Sequence, residues 1–261
     1  MNLKMTSLAG IAMLVLLAPG WAAANGDGTG IANSPHDFTD NVVAGVAGPP
    51  NIENDAANVN AWNNKRKEIC RTCHVPHDHG AVRYGNQGIL WNHQLTTKAS
   101  WQMYASDPLM IDFIDGTIEA APTGTSKLCL GCHDGVSAVN QYDGKAPTDA
   151  GYGGGTTYLM SAYDGGFSIG NTAASLTNNH PISVTYDNVA DTGLFDPAAA
   201  TMDNGDTVSS LLDNGRVECS TCHDVHNRES VPGTHLLRES TKGADVTGAG
   251  ASDLCFVCHD K

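Results

Sequence analysis

The longest apolar run in the chain is Leu8 to Leu17, too short to cross a bilayer. With Lys4 before it and Ala22-Ala23-Ala24 after it, this run predicts a cleaved export leader over residues 1–24. Later stretches are broken by polar residues too often to make a membrane span. Residues 25–64 are dominated by Gly, Asn, Ala and Asp around Pro49-Pro50, which predicts an extended N-terminal arm. Residues 135–216 are dense in Gly, Thr, Asp, Asn and Tyr, with Gly153-Gly154-Gly155 and Asp203-Asn204-Gly205-Asp206 inside. That composition predicts turns, hairpins and surface loops. One short strand is expected there, opening at His180 within Asn178 to Val184. Helix is expected only in short pieces around paired cysteines, with Ser126 as an N-cap for one of them. Trp91, Trp101 and Tyr104 are aromatic positions lying between two of these pieces.

The cysteine pairs carry the chemistry. Cys-x-x-Cys-His occurs four times, as Cys70 to His74, Cys129 to His133, Cys219 to His223 and Cys255 to His259. This is the attachment signature of c-type haem. Two cysteines three apart on a helical turn project to one side, where each can form a thioether with a haem vinyl group. The next histidine reaches the iron from that side as the proximal ligand. A redox dithiol or a zinc half-site also uses Cys-x-x-Cys, but neither requires His at the following position four times. The expected cofactors are therefore four covalently attached haem c groups, held by Cys70, Cys73, Cys129, Cys132, Cys219, Cys222, Cys255 and Cys258. Their proximal ligands are His74, His133, His223 and His259. All eight cysteines are consumed, leaving none for disulfides.

Composition agrees with a haem-filled interior. Only 6% of residues are aromatic and 29 are Gly, so an ordinary core would be thin, and an apolar macrocycle fills the deficit. The chain is not expected to fold without haem. Its formal charge is −14 and becomes one unit more negative when Lys4 leaves with the leader. This argues against nucleic acid and favours basic or cationic partners, including metal ions; simple solubility explains the charge equally well.

The two halves echo each other. Residues 124–134 and 250–260 share Gly-x-Ser-x-Leu-Cys-x-x-Cys-His-Asp. Each half offers an upstream histidine, His36 or His180, then Cys-x-x-Cys-His-x-x-His, then the Leu-Cys motif. The predicted distal ligands are His36, His77, His180 and His226, with His93 as a substitute. His77 and His226 follow their proximal histidines by three residues, too short a tether to round the same macrocycle, so each should serve a neighbouring haem. The first two haems should form one pair and the last two another. Met103, Met110, Met160 and Met202 are possible ligands, but spare histidines favour bis-histidine iron throughout, at low potential. His79 and His235 are expected to be exposed. The fold class that follows is a multihaem cytochrome c, mostly coil with short helices at the haem motifs, a few short strands and a haem-packed core. It divides into two quasi-repeated dihaem modules, residues 25–140 with the arm and residues 141–261 with the loop-rich insert.

Ser-Pro-His-Asp-Phe, Cys-x-x-Cys-His-x-Pro-His, Leu-Trp-Asn-His, Leu-Cys-Leu-Gly-Cys-His-Asp-Gly, Asn-His-Pro-Ile and Cys-Ser-Thr-Cys-His-Asp-Val-His occur in that order. The pattern resembles the tetrahaem outer-surface cytochromes of metal-reducing bacteria, the OmcE-like extracellular cytochrome nanowire family. The resemblance covers nearly the whole mature chain, through haem-site motifs that other multihaem families share in part. It implies subunits that polymerise head to tail into a filament with a continuous haem chain, passing electrons to external acceptors. It also implies that one haem takes its distal histidine from the adjacent subunit, a role assigned by position to His36. Expected partners are the chain itself, other redox cytochromes and extracellular metal acceptors, without membrane insertion. The expected location is extracellular or on the outer surface. A monomeric periplasmic electron shuttle is the alternative, and an enzyme is disfavoured because every motif keeps its histidine.

Overall fold

The structure is a computed structural model. It describes residues 30–32, 34–38, 68–76, 90–104, 119–149, 152, 157–162, 168–169, 175–232, 234–240 and 252–260. The leader, most of the arm, His77, His79, Met110 and Gly153-Gly154-Gly155 lie outside these residues.

Regular structure is sparse, as the composition predicts. In chain order it comprises α1 (Gly124–His133), a 3-10 turn (Met160–Ala162), β1 (Val184–Thr185), α2 (Val208–Leu211), β2 (Arg216–Val217), α3 (Cys219–Cys222) and α4 (Asp253–Cys258). Strands β1 and β2 pair antiparallel, Val184 opposite Val217 and Thr185 opposite Arg216. The strand expected at Asn178 to Val184 thus forms only at its C-terminal end. No described helix is long and apolar enough to cross a membrane.

Among the described residues, three of the four helices carry cysteine motifs. The longest, α1, is capped by Thr123 rather than Ser126. Ser126 is fully buried inside the helix, and its Oγ accepts from the backbone N–H of Cys219 at 2.9 Å. The helix start is instead served from elsewhere in the chain: Asp213 Oδ2 accepts from Thr125 N at 2.9 Å and Ser183 Oγ accepts from Thr123 N at 2.9 Å. This satisfies donors that the helix itself leaves open. Serine three residues before the cysteine is therefore a cap in α4, at Ser252, and a packing residue in α1.

One apolar cluster is evident among the described residues: Phe38, Val139, Tyr142, Tyr152 and Met160, with Cys132 and Tyr158 against it. Tyr142 and Val139 are wholly buried. Many other buried side chains are polar, including Asp143, Glu218, Asp224 and Glu239, so loops are held by hydrogen bonds rather than by a broad apolar core. Asp143 shows how: its carboxylate accepts from Arg71 Nε at 2.8 Å, Asn92 Nδ2 at 2.8 Å and Tyr152 Oη at 2.6 Å. These bonds tie the first motif to two distant loops and to the apolar cluster.

Candidate functional site

The four motifs fold into short turns because Cys-x-x-Cys spans one helical turn, and the histidine that follows closes it. His74 N donates to Cys70 O at 2.7 Å, His223 N to Cys219 O at 3.0 Å and His259 N to Cys255 O at 2.9 Å. All eight cysteines are unpaired.

Burial pushes the thiols of Cys73 and Cys222 up, to about 12 and about 11. Cys132 is also raised well above its ordinary value, first by burial and then by the nearby Cys73. Cys129 donates to Cys219 sulfur, which raises Cys129 and lowers Cys219. Cys73 acts electrostatically on Cys129 and Cys132, and Cys258 and Cys255 act on Cys222. The motifs therefore form a series in which the first adjoins the second, the second touches the third and the third adjoins the fourth. The second and third motifs meet where α1 packs on α3, with Thr125 Oγ1 bonded to Ser220 Oγ at 2.7 Å and Glu218 buried between them. Burial raises the affinity of Glu218 for its proton, against the hydroxyls of Ser126, Ser183 and Thr123, which favour the carboxylate.

Each of three proximal histidines faces a second imidazole. Ring centroids are 6.1 Å apart for His133 and His36, 6.2 Å for His74 and His226, and 6.4 Å for His259 and His180. A metal–imidazole bond is about 2 Å, and the bonding nitrogen lies about 1.2 Å from its ring centroid, so two rings on opposite sides of one metal have centroids about 6.3 Å apart. A tetrahedral site would bring them to about 5 Å. The three centroid spacings lie near the first of these values, as does that of His36 and Phe38 at 6.3 Å. Among the described residues no group of three His, Cys, Asp or Glu side chains is placed to hold a bare metal ion. Two opposed nitrogens are nonetheless the complete protein contribution to an iron already held by a macrocycle.

Other details fit a large absent group at these positions. His36 Nδ1, Trp91 Nε1 and Thr72 Oγ1 are buried without a hydrogen-bond partner. Trp91 lies edge-on to His74 at 5.9 Å. Burial, followed by the charges of His133, His223 and His226, pushes His36 down to about 3, so its ring is neutral and able to donate a lone pair. His180 and His223 each direct Nδ1 at a backbone carbonyl, of Pro181 at 2.9 Å and His235 at 2.8 Å. With Nδ1–H donating, Nε2 is left as the metal-binding nitrogen.

Of the four predicted distal residues, His36, His180 and His226 have their rings beside His133, His259 and His74, the predicted proximal histidines, while His77 lies outside the described residues. The pairings cross the chain in an unforeseen way: His226, beyond the third motif, faces His74 of the first. His36, assigned by the resemblance to a neighbouring subunit, has its ring centroid 6.1 Å from that of His133 in the same chain. The reason is local: the turn at Ser34 to Phe38 is pinned by Asp37 N to Ser34 O at 3.0 Å, and Phe38 enters the apolar cluster. Gly30 is tied to Asn227 by bonds of 2.7 and 2.9 Å, so this part of the arm lies along the loop carrying His226. His93, the expected substitute, is buried, with one ring nitrogen 2.8 Å from Gln94 O, the other 2.9 Å from Val139 O, and Cys132 Sγ 3.3 Å from Nε2. His235 is exposed, as expected. Met160 sits in the apolar cluster.

Sequence reasoning missed the residues that aim the ligands. Asp224, directly after His223, accepts from the backbone N–H groups of His226 at 3.0 Å, Arg228 at 2.6 Å and Glu229 at 2.7 Å. Burial alone would raise its pKa, but these donors bring it below the usual carboxylate value. Asp134, directly after His133, similarly accepts from Val136 N, Ser137 N, Ser137 Oγ and Thr96 Oγ1. The signal was present as Cys-His-Asp, where an Asp beginning a turn bonds the backbone two residues on. No protein-family model matches the chain, and no curated protein matches it.

Proposed function

We propose that the chain binds four haem c groups and carries electrons along them, as the subunit of a head-to-tail extracellular cytochrome filament. The observation that carries this reading is the set of three opposed imidazole pairs at 6.1 to 6.4 Å, each containing the histidine of a Cys-x-x-Cys-His motif. Haem, when bound, supplies reversible one-electron chemistry. The chain's own part is positioning: the cysteines tether, the histidines cap both faces, and buried carboxylates such as Asp224 and Asp143 fix the loops that carry them. The series of motifs, the first beside the second, the second touching the third and the third beside the fourth, supports a conduit. The filament part of the proposal rests on the family resemblance.

The test is a haem count by pyridine haemochrome on protein exported from a host that attaches c-type haem, followed by electron microscopy of the concentrated sample. Four haems per chain and thin, regularly repeating filaments are expected. A chain without covalent haem would sink the reading. Four haems in compact single particles would shift it to a soluble electron shuttle.

A further inference from the structure

We propose that Trp91 is a haem-binding residue that sets a potential: its indole N–H donates to a propionate of the haem carried by His74. This rests on the haem reading above. Among the described residues, Trp91 Nε1 is one of four buried side-chain polar atoms without a hydrogen-bond partner. An indole nitrogen can only donate, and when buried it ordinarily finds an acceptor. Leaving such a donor unsatisfied costs about 1–3 kcal/mol, so an acceptor brought by a bound group is the physical explanation. Local structure ties Trp91 to the first motif. Asn92 N donates to Cys73 O at 2.9 Å, Val75 N donates to Leu90 O at 3.0 Å, and Trp91 forms an antiparallel bridge with His74. Side chains alternate in such extended pairing. Asn92 turns its amide to Arg71 O at 2.6 Å and Asp143 Oδ1 at 2.8 Å, while the Trp91 ring stands edge-on to His74, centroids 5.9 Å apart and planes at 89°. The indole therefore lies beside the imidazole that would hold the iron.

Only one kind of acceptor remains on a haem held this way. The pyrrole nitrogens bind iron and the vinyl groups are consumed by Cys70 and Cys73, which leaves the propionate carboxylates. Neighbouring side chains are engaged elsewhere. His93, whose ring lies 6.5 Å from that of Trp91, has its two nitrogens on Gln94 O and Val139 O. Arg71, the cation of the first motif, bonds Asp143 Oδ2 at 2.8 Å through Nε and Glu68 Oε2 at 3.1 Å through Nη1. With that guanidinium taken, a neutral donor is left to hold the propionate, in a chain whose formal charge is −14. A propionate charge near iron favours the ferric state, and a donor that draws on that charge raises the potential.

The experiment compares wild type with Trp91→Phe as exported, haem-loaded protein; phenylalanine keeps an apolar ring and removes the N–H. The pyridine haemochrome should count four haems per chain in both. A potentiometric titration followed by electron paramagnetic resonance then singles out the His74 haem, whose two imidazole planes lie 25° apart. Its midpoint should fall in Trp91→Phe, with the reduced-to-oxidised ratio at a fixed potential dropping severalfold and by at most about tenfold, while the other three midpoints hold. Resonance Raman of the reduced protein adds a readout that packing alone does not move: a propionate bending band that shifts when the wild type is transferred to heavy water, a shift lost in the variant. Unchanged midpoints overturn the proposal. So does a heavy-water shift that persists in Trp91→Phe, which identifies water or another group as the donor. Should the variant lose haem, the wild type decides: a heavy-water-sensitive propionate band supports the bond and its absence overturns it. Four haems with unchanged midpoints removes this inference alone, whereas absence of covalent haem removes the proposed function with it.

Discussion

Replacing Asp143 by Ala should cost about 3 kcal/mol of stability, through the anchoring of the first motif. Asp143 is 7% exposed and accepts three hydrogen bonds, from Arg71, Asn92 and Tyr152. Removing the carboxylate takes away the 2.6 Å acceptor of Tyr152 Oη, and a buried donor that loses its acceptor costs about 1–3 kcal/mol. Asn92 Nδ2 loses less because it also donates to Arg71 O at 2.6 Å. Arg71 keeps Glu68 at 3.1 Å and has about a fifth of its side chain exposed, so water takes up part of its loss. For a chain of this size the total corresponds to a fall in melting temperature of about 6–12 °C. Thermal unfolding of the haem-loaded protein, followed by circular dichroism in the haem band, measures it. Burial alone would raise the Asp143 pKa, but the bonds from Tyr152, Arg71 and Asn92 outweigh it and bring the pKa below its ordinary value. A depressed folded pKa gives stability that is present above the unfolded value, about 3.9, and is lost as pH falls through the folded one. The gap between wild type and Asp143→Asn should therefore be constant above about pH 5 and close below about pH 4. A loss under about 1 kcal/mol, or a gap that widens on acidification, would refute the reasoning. So would strict additivity of Asp143→Ala with Arg71→Ala, since the two side chains are in direct contact.

Further outcomes test the sites themselves. Gly131→Ala places a methyl group into the backbone oxygen of Gln94 and against His93 Nδ1, so it should cost about 1–3 kcal/mol and lower occupancy of the second haem, read as fewer haems per chain. Asp224→Ala removes the acceptor for three backbone donors that aim His226, and should loosen the ligand facing His74; partial high-spin signal and extra carbon monoxide uptake are expected, and an unchanged spectrum counts against this role. The ring planes of His74 and His226 lie 25° apart, whereas those of His36 and His133 lie at 74° and those of His180 and His259 at 61°. Near-parallel rings split the two iron d orbitals that they share and near-perpendicular rings leave them close in energy. Electron paramagnetic resonance should therefore show one rhombic low-spin haem and two with a large maximal g value, and His226→Ala should abolish the rhombic signal.

The proposed cofactor chemistry rests on Cys-x-x-Cys-His as a local device: one helical turn brings both cysteines and the following histidine together, whatever surrounds it. Sparse secondary structure was equally legible, since Gly, Asn, Asp and Thr dominate residues 135–216 and favour turns over ladders. His36, His180 and His226 could be singled out by their repeated placement relative to the motifs. Their destinations could not. Which imidazole faces which depends on how loops distant in sequence pack, and here that packing is set by buried polar contacts such as Asn227 with Gly30, Asp224 with its three donors, and Cys219 with Ser126. The periodicity of single segments carries no information about such pairings. The sequence by itself determined four Cys-x-x-Cys-His turns and a set of histidines placed around them. Tertiary structure decided that the ring of His226 lies beside His74, that the ring of His36 lies beside His133, and that α1 packs on α3, because each depends on contacts between residues far apart in the chain.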